Sequence, residues 1–519
     1  MDANNPPPDS NEGHPTEMPP PAATPPIGRP TAPLTASNSA RDNWPYAQEP
    51  DPGSRRSRLI ALIVAVIATL TAVSLQNAPA VIELFSPAPV EAVGVERDIP
   101  PPTGADMGSV MGKLFIKVAE FLKSDPTAMS QLDVYAASDV DRARFAIVAA
   151  EVNGKDAALG RLDSLDERVD DDDPLATDIR LLHDVYEEGP DAINDDERER
   201  LIAHHGYFAK VALTFALDED DAAREALRGG GLLVVSMLLA AGALIFIAFV
   251  AGIGFFIVAV VYAANGKLRP SMPVPAPGGS VFLEVFAIFI AGFVLLNLSM
   301  DLVTLLAPQG ATWPAYLRLG SQWLLLLAPL WPLARGMSGE RLRAAIGLHT
   351  GRGLFKEMGC GVAAYFAGLP VFLAGAIISV VLMFLAQALR MKAGLGEPQT
   401  PTNPVFELVS AADPLALFMV FTLATIWAPL CEELIFRGAL LRHLRGHMSI
   451  AAAVLLGATI FGFMHGYGPL LVFPLIALGS VFGVMRVWRG SLIPCITAHA
   501  LHNGTVLTLA ITTLKLLGE

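Results

Sequence analysis

Two adjacent glutamates and an arginine interrupt an apolar stretch near the C-terminus, FTLATIWAPLCEELIFRGALLRHL (residues 421–444). Ionisable side chains inside a membrane are costly unless they are paired or wetted, so they suggest a functional site. Glu433 and Arg437 are four residues apart and would be neighbours on a helix, whereas Glu432 would be turned about 100° away. The spacing predicts an ion pair beside a free carboxylate. The alternative is a helix end that emerges into the cytoplasm with all three side chains solvated.

Two further polar islands follow on separate apolar segments, TIFGFMHGYGP (459–469) and IPCITAHALHNG (493–504). His465 ends an apolar helix whose face also carries Phe461. His499 and Asn503 are four residues apart and would share a helix face. His502 lies on a different face and is a weaker candidate. A single histidine in such a setting is usually a packing residue, but three islands on consecutive apolar segments favour a common site.

The residue types in these islands suit acyl transfer with water as the nucleophile. Glu432 could take a proton from water, and an imidazole could help to position that water. His499 and Asn503 could donate hydrogen bonds to a developing oxyanion. The sequence shows no obvious nucleophilic serine among them.

The composition predicts a protein that crosses the membrane several times. Of its 519 residues, 53% are hydrophobic and only 17% are charged, and the mean hydropathy is +0.48. Soluble proteins have about a quarter of their residues charged. The net charge of −14 argues against a nucleic-acid partner. The scattered Cys360, Cys431 and Cys495 predict neither a disulfide framework nor a zinc cluster.

The chain divides into four parts by composition. Residues 1–57 are rich in proline and predict a disordered cytoplasmic tail. Residues 58–76 follow a basic flank and predict an uncleaved first transmembrane helix. Residues 77–230 are acidic with helical apolar spacing, which predicts a small helical domain outside the cytoplasm, and 231–519 form a multi-span membrane domain.

Eight apolar segments follow the acidic domain, and basic residues fall in alternate loops between them. By the positive-inside rule, this pattern predicts nine spans in total, with the N-terminus in the cytoplasm. The fold class is therefore an all-α polytopic membrane protein, which we expect in the cell (inner) membrane of a bacterium. The segments are approximately 231–263, 281–307, 317–334, 357–384, 415–436, 449–465, 469–487 and 491–517.

The acidic domain contains no evident catalytic group. We expect His204 and His205 at its surface, and we interpret the aspartate run at 170–173 as a solvated loop. Our hypothesis is that this domain binds a protein partner or controls access to the membrane domain.

The three islands resemble the signature of the CPBP family of intramembrane proteases (CAAX protease and bacteriocin-processing, also called Abi), which includes the type II CAAX prenyl endopeptidases. That signature is Glu-Glu-x-x-x-Arg, then Phe-x-x-x-His, then His-x-x-x-Asn or Asp. The resemblance covers a catalytic core at about 415–517 and does not reach the first 230 residues. The matching residues are Glu432, Glu433, Arg437, Phe461, His465, His499 and Asn503.

The resemblance implies a glutamate-type endopeptidase whose cavity opens toward the cytoplasm. Glu432 and His465 would activate water, and His499 with Asn503 would bind the oxyanion. Glu433 and Arg437 would hold the first helix of the core, with Phe461 in support. We expect no cofactor. The implied partners are membrane lipids and a membrane-associated protein or peptide substrate, and the resemblance leaves open whether that substrate is prenylated.

Three alternatives remain open. A zinc protease could use Glu432, His465 and His499 as metal ligands. A thiol protease could use Cys495, although its apolar surroundings give no reason for a reactive thiolate. A transporter or non-catalytic scaffold is suggested by Asn297 and Asp301, a further polar pair inside an apolar segment.

Overall fold

The computed structural model describes residues 50–86, 99, 107–123, 125, 127–136, 138–276, 278–395, 409 and 413–517. Most of the predicted disordered tail, residues 1–49, lies outside this range. Within the described ranges the regular secondary structure is helical and contains no strand. The predicted all-α class is therefore confirmed.

The first helix, α1 (Arg55–Phe85), is longer than the predicted span 58–76. Ser54 caps its N-terminus by accepting a hydrogen bond from the Ser57 N–H. The helix continues through Asn77 and Pro79, two residues that usually mark a helix end. The Asn77 side chain donates to the Val73 carbonyl of α1 and to the Phe463 carbonyl of another helix, so it has partners within the folded chain.

The acidic part of the chain forms a cluster of short helices around its own core. Buried side chains from several helices fill this core, among them Phe145, Leu162, Leu182 and Phe208. The helices are α2 (Met107–Lys117), α3 (Ala119–Leu122), α4 (Ala128–Asp133), α5 (Asp139–Asn153), α6 (Lys155–Asp166), α7 (Pro174–Glu187), a 3₁₀ turn at Pro190–Ala192, α8 (Asp195–His205), α9 (Tyr207–Leu213) and α10 (Ala222–Arg228).

The remaining chain forms the helices of the membrane domain. These are α11 (Gly231–Ala264), α12 (Val281–Leu306), α13 (Trp313–Ser321), a 3₁₀ segment at Gln322–Leu330, α14 (Trp331–Ala334), α15 (Gly339–Ile346), α16 (Leu354–Lys392), α17 (Pro414–Arg445), α18 (Ile450–Phe463), α19 (Gly468–Leu471), α20 (Phe473–Arg489) and α21 (Ile493–Leu516).

The described residues contain five helices long and apolar enough to cross a membrane. Four of them are α1, α12, α16 and α17, and the fifth is Ala222–Ala264, which includes α11. Helix α18 is also apolar but is shorter. The chain is therefore an integral membrane protein. The predicted number of nine spans is not confirmed. The segment 317–334, for example, is a broken run of α and 3₁₀ turns in which Pro329 and Pro332 remove backbone donors.

Contacts join the residues just before α1 to arginines on two other helices, α15 and α17. The Asp51 carboxylate accepts two hydrogen bonds from the Arg442 guanidinium, at 3.1 and 2.9 Å. Arg341 donates to the Pro50 carbonyl at 2.8 Å. The end of α17 and the start of α15 therefore lie beside the residues that precede the first membrane helix.

A buried polar cluster joins α7 to α8 in the acidic domain. Asp178 has no exposed surface and contacts Arg200 Nε (2.7 Å), His204 Nδ1 (2.6 Å) and His205 Nε2 (3.2 Å). His205 is also fully buried, which corrects our expectation of a surface position. The many acidic residues nearby predicted a solvated surface, but one of them, Asp178, is buried and binds the His205 imidazole.

The two groups make the stability of this domain sensitive to acid in two steps. Burial lowers the pKa of His205, although Asp178 opposes that shift. Burial would raise the pKa of Asp178, but hydrogen bonds from His205, Arg200 and His204 outweigh it and the net pKa is lowered. Stability is therefore complete above about pH 6.5, falls as the unfolded chain protonates His205, and falls again below about pH 4 as Asp178 is neutralised.

We predict that amide protection in α5–α7 falls between pH 7.5 and pH 5.5, by at most about 1.4 kcal/mol per pH unit. His205→Gln should flatten this dependence because an amide does not titrate there. The measurement is hydrogen exchange by mass spectrometry on the full chain in detergent, corrected for the intrinsic exchange rate. His183→Gln, at a partly exposed site of the same domain, should keep the wild-type dependence. An equal slope in wild type and His205→Gln would contradict the assignment.

Candidate active site

Helix α17 carries the two glutamates where its winding changes. It contains two π-helical segments, Leu423–Trp427 and Glu433–Leu440. A π turn widens a helix, and such turns occur frequently at functional sites. The second segment begins at Glu433 and includes Arg437, so both members of the predicted ion pair lie on π-helical backbone.

The predicted ion pair between Glu433 and Arg437 is present and buried. Arg437 Nη1 lies 2.9 Å from Glu433 Oε1, and the two side chains are 3% and 0% exposed. Arg437 Nη2 donates to the Gly479 carbonyl of α20 at 3.0 Å. The guanidinium also lies over the Phe461 ring of α18, 4.4 Å from its centroid. One arginine thus links α17 to two neighbouring helices, because a buried charge requires several partners.

His499 on α21 joins this pair, which the sequence did not predict. Its Nδ1 lies 2.9 Å from Glu433 Oε1, and its Nε2 lies 3.8 Å from Glu432 Oε2. An ionised carboxylate can only accept, so Nδ1 carries a hydrogen and Nε2 is directed toward Glu432. Glu433 therefore holds both Arg437 and His499, and the imidazole lies between the two adjacent glutamates.

The Glu432 carboxylate is partly exposed and incompletely bonded. Its side chain is 18% exposed. Its Oε2 atom is buried and has no hydrogen-bond partner within the described ranges. The 3.8 Å separation from His499 Nε2 is too long for a direct hydrogen bond. Glu432 Oε2 therefore keeps acceptor capacity that no described side chain uses.

His465 lies in the turn after α18 and contacts the same phenylalanine as Arg437. Its Nδ1 is 2.8 Å from the Phe461 carbonyl, which fixes the hydrogen on Nδ1 and leaves Nε2 as an acceptor in the neutral ring. The Phe461 ring centroid lies 4.7 Å from the His465 ring and 6.0 Å from the His499 ring. Phe461 is therefore the packing residue shared by Arg437 and both predicted histidines.

Asn503 is anchored to α17 through its side-chain amide. Its Nδ2 donates to the Ala424 carbonyl, in the first π segment, at 2.8 Å. One of the two amide hydrogens is therefore committed, and the other is available for the predicted oxyanion contact. His502 faces α16 instead, where Nδ1 lies 3.4 Å from the Tyr365 hydroxyl. This placement agrees with its weaker ranking as a candidate.

The structure bears on the two alternative protease chemistries. Within the residues it describes, no three His, Cys, Asp or Glu side chains are grouped closely enough to hold a metal. Glu432, His465 and His499 thus do not fit a zinc site as they stand. Cys495 is completely buried, and its thiol donates to the Phe482 carbonyl at 3.3 Å.

Sequence reasoning missed three contributors to the site. Phe482 packs against His499, with ring centroids 5.4 Å apart, and Gly479 supplies the carbonyl for Arg437. Neither residue differs in type from the apolar helix around it. Asn77 contacts the His465 turn, and here a signal existed, since a polar side chain in an apolar helix points to function. The predicted span ended one residue before it.

Comparison with known families gives one match. Residues 414–505 match the family model described as type II CAAX prenyl endopeptidase Rce1-like. The range contains the two glutamates, Arg437, Phe461, both predicted histidines and Asn503. The resemblance inferred from the three motifs is thus confirmed, and the family is one of proteases. Comparisons with curated proteins and with solved structures give no significant match.

We predict that Arg437→Ala strongly destabilises the membrane domain, by about 3–5 kcal/mol, because it leaves Glu433 buried without its counter-charge. The measurement is thermal unfolding in detergent. Arg318→Ala is the matched control, since it breaks an ion pair with Asp301 whose carboxylate is 63% exposed and should cost at most about 1 kcal/mol. Equal effects of the two variants would show that the buried pair contributes little to stability.

Proposed function

We propose that this chain, whose residues 414–505 match the CAAX-protease family, is a glutamate-type intramembrane endopeptidase. The observation that carries the proposal is the Glu432 carboxylate, which is 18% exposed and has an unpartnered Oε2 3.8 Å from His499 Nε2. A carboxylate in this state can accept a proton from a water held beside it. Glu433 also has an unpartnered Oε2, but it is fully buried and its Oε1 is bonded to both Arg437 and His499.

Charge balance supports a protonated His499. With Glu432 and Glu433 ionised and Arg437 charged, a second proton on the imidazole makes the four-residue cluster neutral. A neutral cluster is favoured in a buried site because uncompensated charge is strongly destabilising there. The imidazolium donates from Nδ1 to Glu433 and has an Nε2–H available for a substrate oxygen.

The proposed reaction then uses groups already on these helices. Glu432 takes a proton from water while the water oxygen attacks the carbonyl carbon of the scissile peptide bond, and His465 helps to hold this water through Nε2. The carbonyl oxygen becomes an oxyanion that accepts hydrogen bonds from His499 Nε2–H and the second amide hydrogen of Asn503. Collapse of this intermediate breaks the C–N bond, and Glu432 returns the proton to the leaving amine.

We propose that the substrate is a membrane-associated protein or peptide, with a prenylated peptide as the first probe. The family's description is the reason for that choice. Contacts between Asp51 and Arg442 support a common side for the N-terminus and the basic loops, so we infer that both are cytoplasmic. Residues 77–230 would then lie outside the cytoplasm of a bacterial inner membrane and remain the proposed docking domain for a protein partner.

The transporter alternative rested on Asn297 and Asp301, and both have local partners. Asn297 donates to the Phe293 carbonyl of its own helix at 2.9 Å, and Asp301 pairs with Arg318 at 2.5 Å. These contacts satisfy the two side chains without an ion path. The endopeptidase therefore explains more of the polar residues in the membrane domain.

We predict that Glu432→Gln abolishes cleavage while the protein keeps its wild-type melting temperature. The amide cannot act as a base, and the expected loss in kcat is about 10²–10⁴-fold. Glu433→Gln should instead lower the melting temperature, because Arg437 and His499 lose their buried carboxylate. The assay is cleavage of a prenyl-peptide and membrane-peptide library by purified protein. Asp301→Asn, which alters a carboxylate bonded to Arg318 on another helix, should retain activity. Full activity of Glu432→Gln would exclude Glu432 as the base.

A second prediction separates the glutamate mechanism from the zinc mechanism. Wild-type cleavage should survive prolonged treatment with a chelator, since the proposed steps involve side chains and water alone. Loss of cleavage on chelation, with recovery on adding Zn²⁺, would instead support the metalloprotease. Cys495→Ala serves as a parallel control for the thiol mechanism and should remain active, because that thiol is buried against Phe482.

A further inference from the structure

One amide on the first helix bridges the turn that carries His465. Asn77 on α1 is 5% exposed. Its Nδ2 donates to the Phe463 carbonyl at 2.9 Å, and its Oδ1 accepts from the Gly468 N–H at 3.0 Å. Its second amide hydrogen is bonded to the Val73 carbonyl of α1 at 2.8 Å. Both amide hydrogens and the amide oxygen of Asn77 are thus hydrogen-bonded. Two of these bonds, to Phe463 and Gly468, lie on either side of His465 in the chain.

The geometry of the turn brings it close against α1. Gly466 and Gly468 have φ of +70° and +74°, a region that residues with a side chain rarely adopt. A Cβ on Gly468 would lie 2.7 Å from the Ala80 Cβ of α1. The absence of a side chain at this glycine is therefore what permits α1 to approach closely enough for the Asn77 bonds.

The Asn77 bonds fix the position of His465 relative to the other helices, which its own bond to the Phe461 carbonyl does not do. The His465 ring is tied to the Phe461 carbonyl, four residues earlier on the same helix end. That bond fixes the tautomer but moves with the turn itself. Asn77 connects the turn to a different helix, which contacts the rest of the domain through a buried stripe of small residues, Ala61, Ala65, Ala68 and Ala72.

We propose that Asn77 is a positioning residue for His465, held by a helix that lies outside the segment matched by the family model. This inference rests on the proposed endopeptidase function. A polar amide inside an apolar membrane helix is destabilising unless hydrogen bonds offset its desolvation. Here two of those bonds go to the Phe463 carbonyl and the Gly468 N–H, on either side of His465. The first helix is thus a structural part of the active site in addition to being an anchor.

The first test compares Asn77→Ala with Ser74→Ala, an exposed position three residues earlier on the same helix. Asn77→Ala leaves the Phe463 carbonyl and the Gly468 N–H without the bridge, so the His465 ring loses its fixed position. We expect kcat to fall by at least about tenfold, since misplacement of a catalytic group by about 1 Å can cost about 10²-fold. KM should stay within about twofold. Ser74→Ala should match the wild type in both constants.

A double-mutant cycle distinguishes positioning from general damage. If Asn77 acts through His465, adding Asn77→Ala to His465→Ala should cause little further loss of kcat, because the two changes remove one function. Equal losses from Asn77→Ala in the presence and absence of His465 would overturn the proposal.

A readout independent of activity keeps the two proposals separable. Diethylpyrocarbonate modifies accessible imidazoles, and mass spectrometry reports the modification of each histidine in the full chain. Asn77→Ala should speed modification of the half-buried His465 several-fold and leave the rate at His183 unchanged. An unchanged rate at His465 would refute the bridge. If the wild type cleaves no substrate, the endopeptidase proposal fails, while the labelling result still decides whether Asn77 holds the turn.

A second variant covers the case in which Asn77→Ala fails to fold. Gly468→Ala retains Asn77 but pushes the turn away from Ala80, so it should reproduce both the loss of kcat and the faster labelling of His465. Gly457→Ala is the matched control, because a Cβ at that glycine meets no described atom within 4 Å. Wild-type kcat and labelling in Gly468→Ala would overturn the proposal.

Discussion

The candidate site depends on one buried carboxylate that binds both an arginine and a histidine. Glu433 has no exposed surface and contacts both Arg437 and His499 through the same oxygen. A buried charge of this kind persists only when its partners are held in good geometry. The contacts therefore fix the relative positions of α17, which carries Glu433 and Arg437, and α21, which carries His499. Glu432 lies beside this cluster, and its partial exposure and its unpartnered Oε2 support its proposed catalytic role.

Packing around Phe461 extends this constraint to a third helix. The ring lies against the Arg437 guanidinium and against the rings of His465 and His499. An aromatic face favours a cation above it, so Phe461 stabilises the charged cluster as well as filling space. The turn that bears His465 is then bridged to α1 by Asn77. Residues from four helices thus set the positions of a few polar groups, which is the preorganisation that the proposed catalysis requires.

Much of the site could be predicted from sequence because charged and polar residues are rare in apolar helices. The spacing of Glu433 and Arg437 predicted their ion pair, and the i, i+4 position of Phe461 and His465 predicted a shared helix end. Spacing along one helix carries no information about partners on another. The contact between His499 and Glu433, and the commitment of Asn503 to the Ala424 carbonyl, therefore appeared only in the folded chain. The boundary of the first helix was misjudged for a related reason, since the partners that keep Asn77 helical are supplied by α18 and the turn after it.

The sequence by itself determined the helical class, the membrane location and the set of polar residues that form the site, because these follow from composition and local periodicity. The family match covers residues 414–505, the stretch that carries the three motifs. Only the tertiary structure decided that His499 shares the Glu433 carboxylate with Arg437, that His205 is buried, and that α1 reaches the His465 turn. Each of these depends on contacts between residues far apart in the chain. Such contacts form only when the helices pack, so local sequence patterns do not predict them.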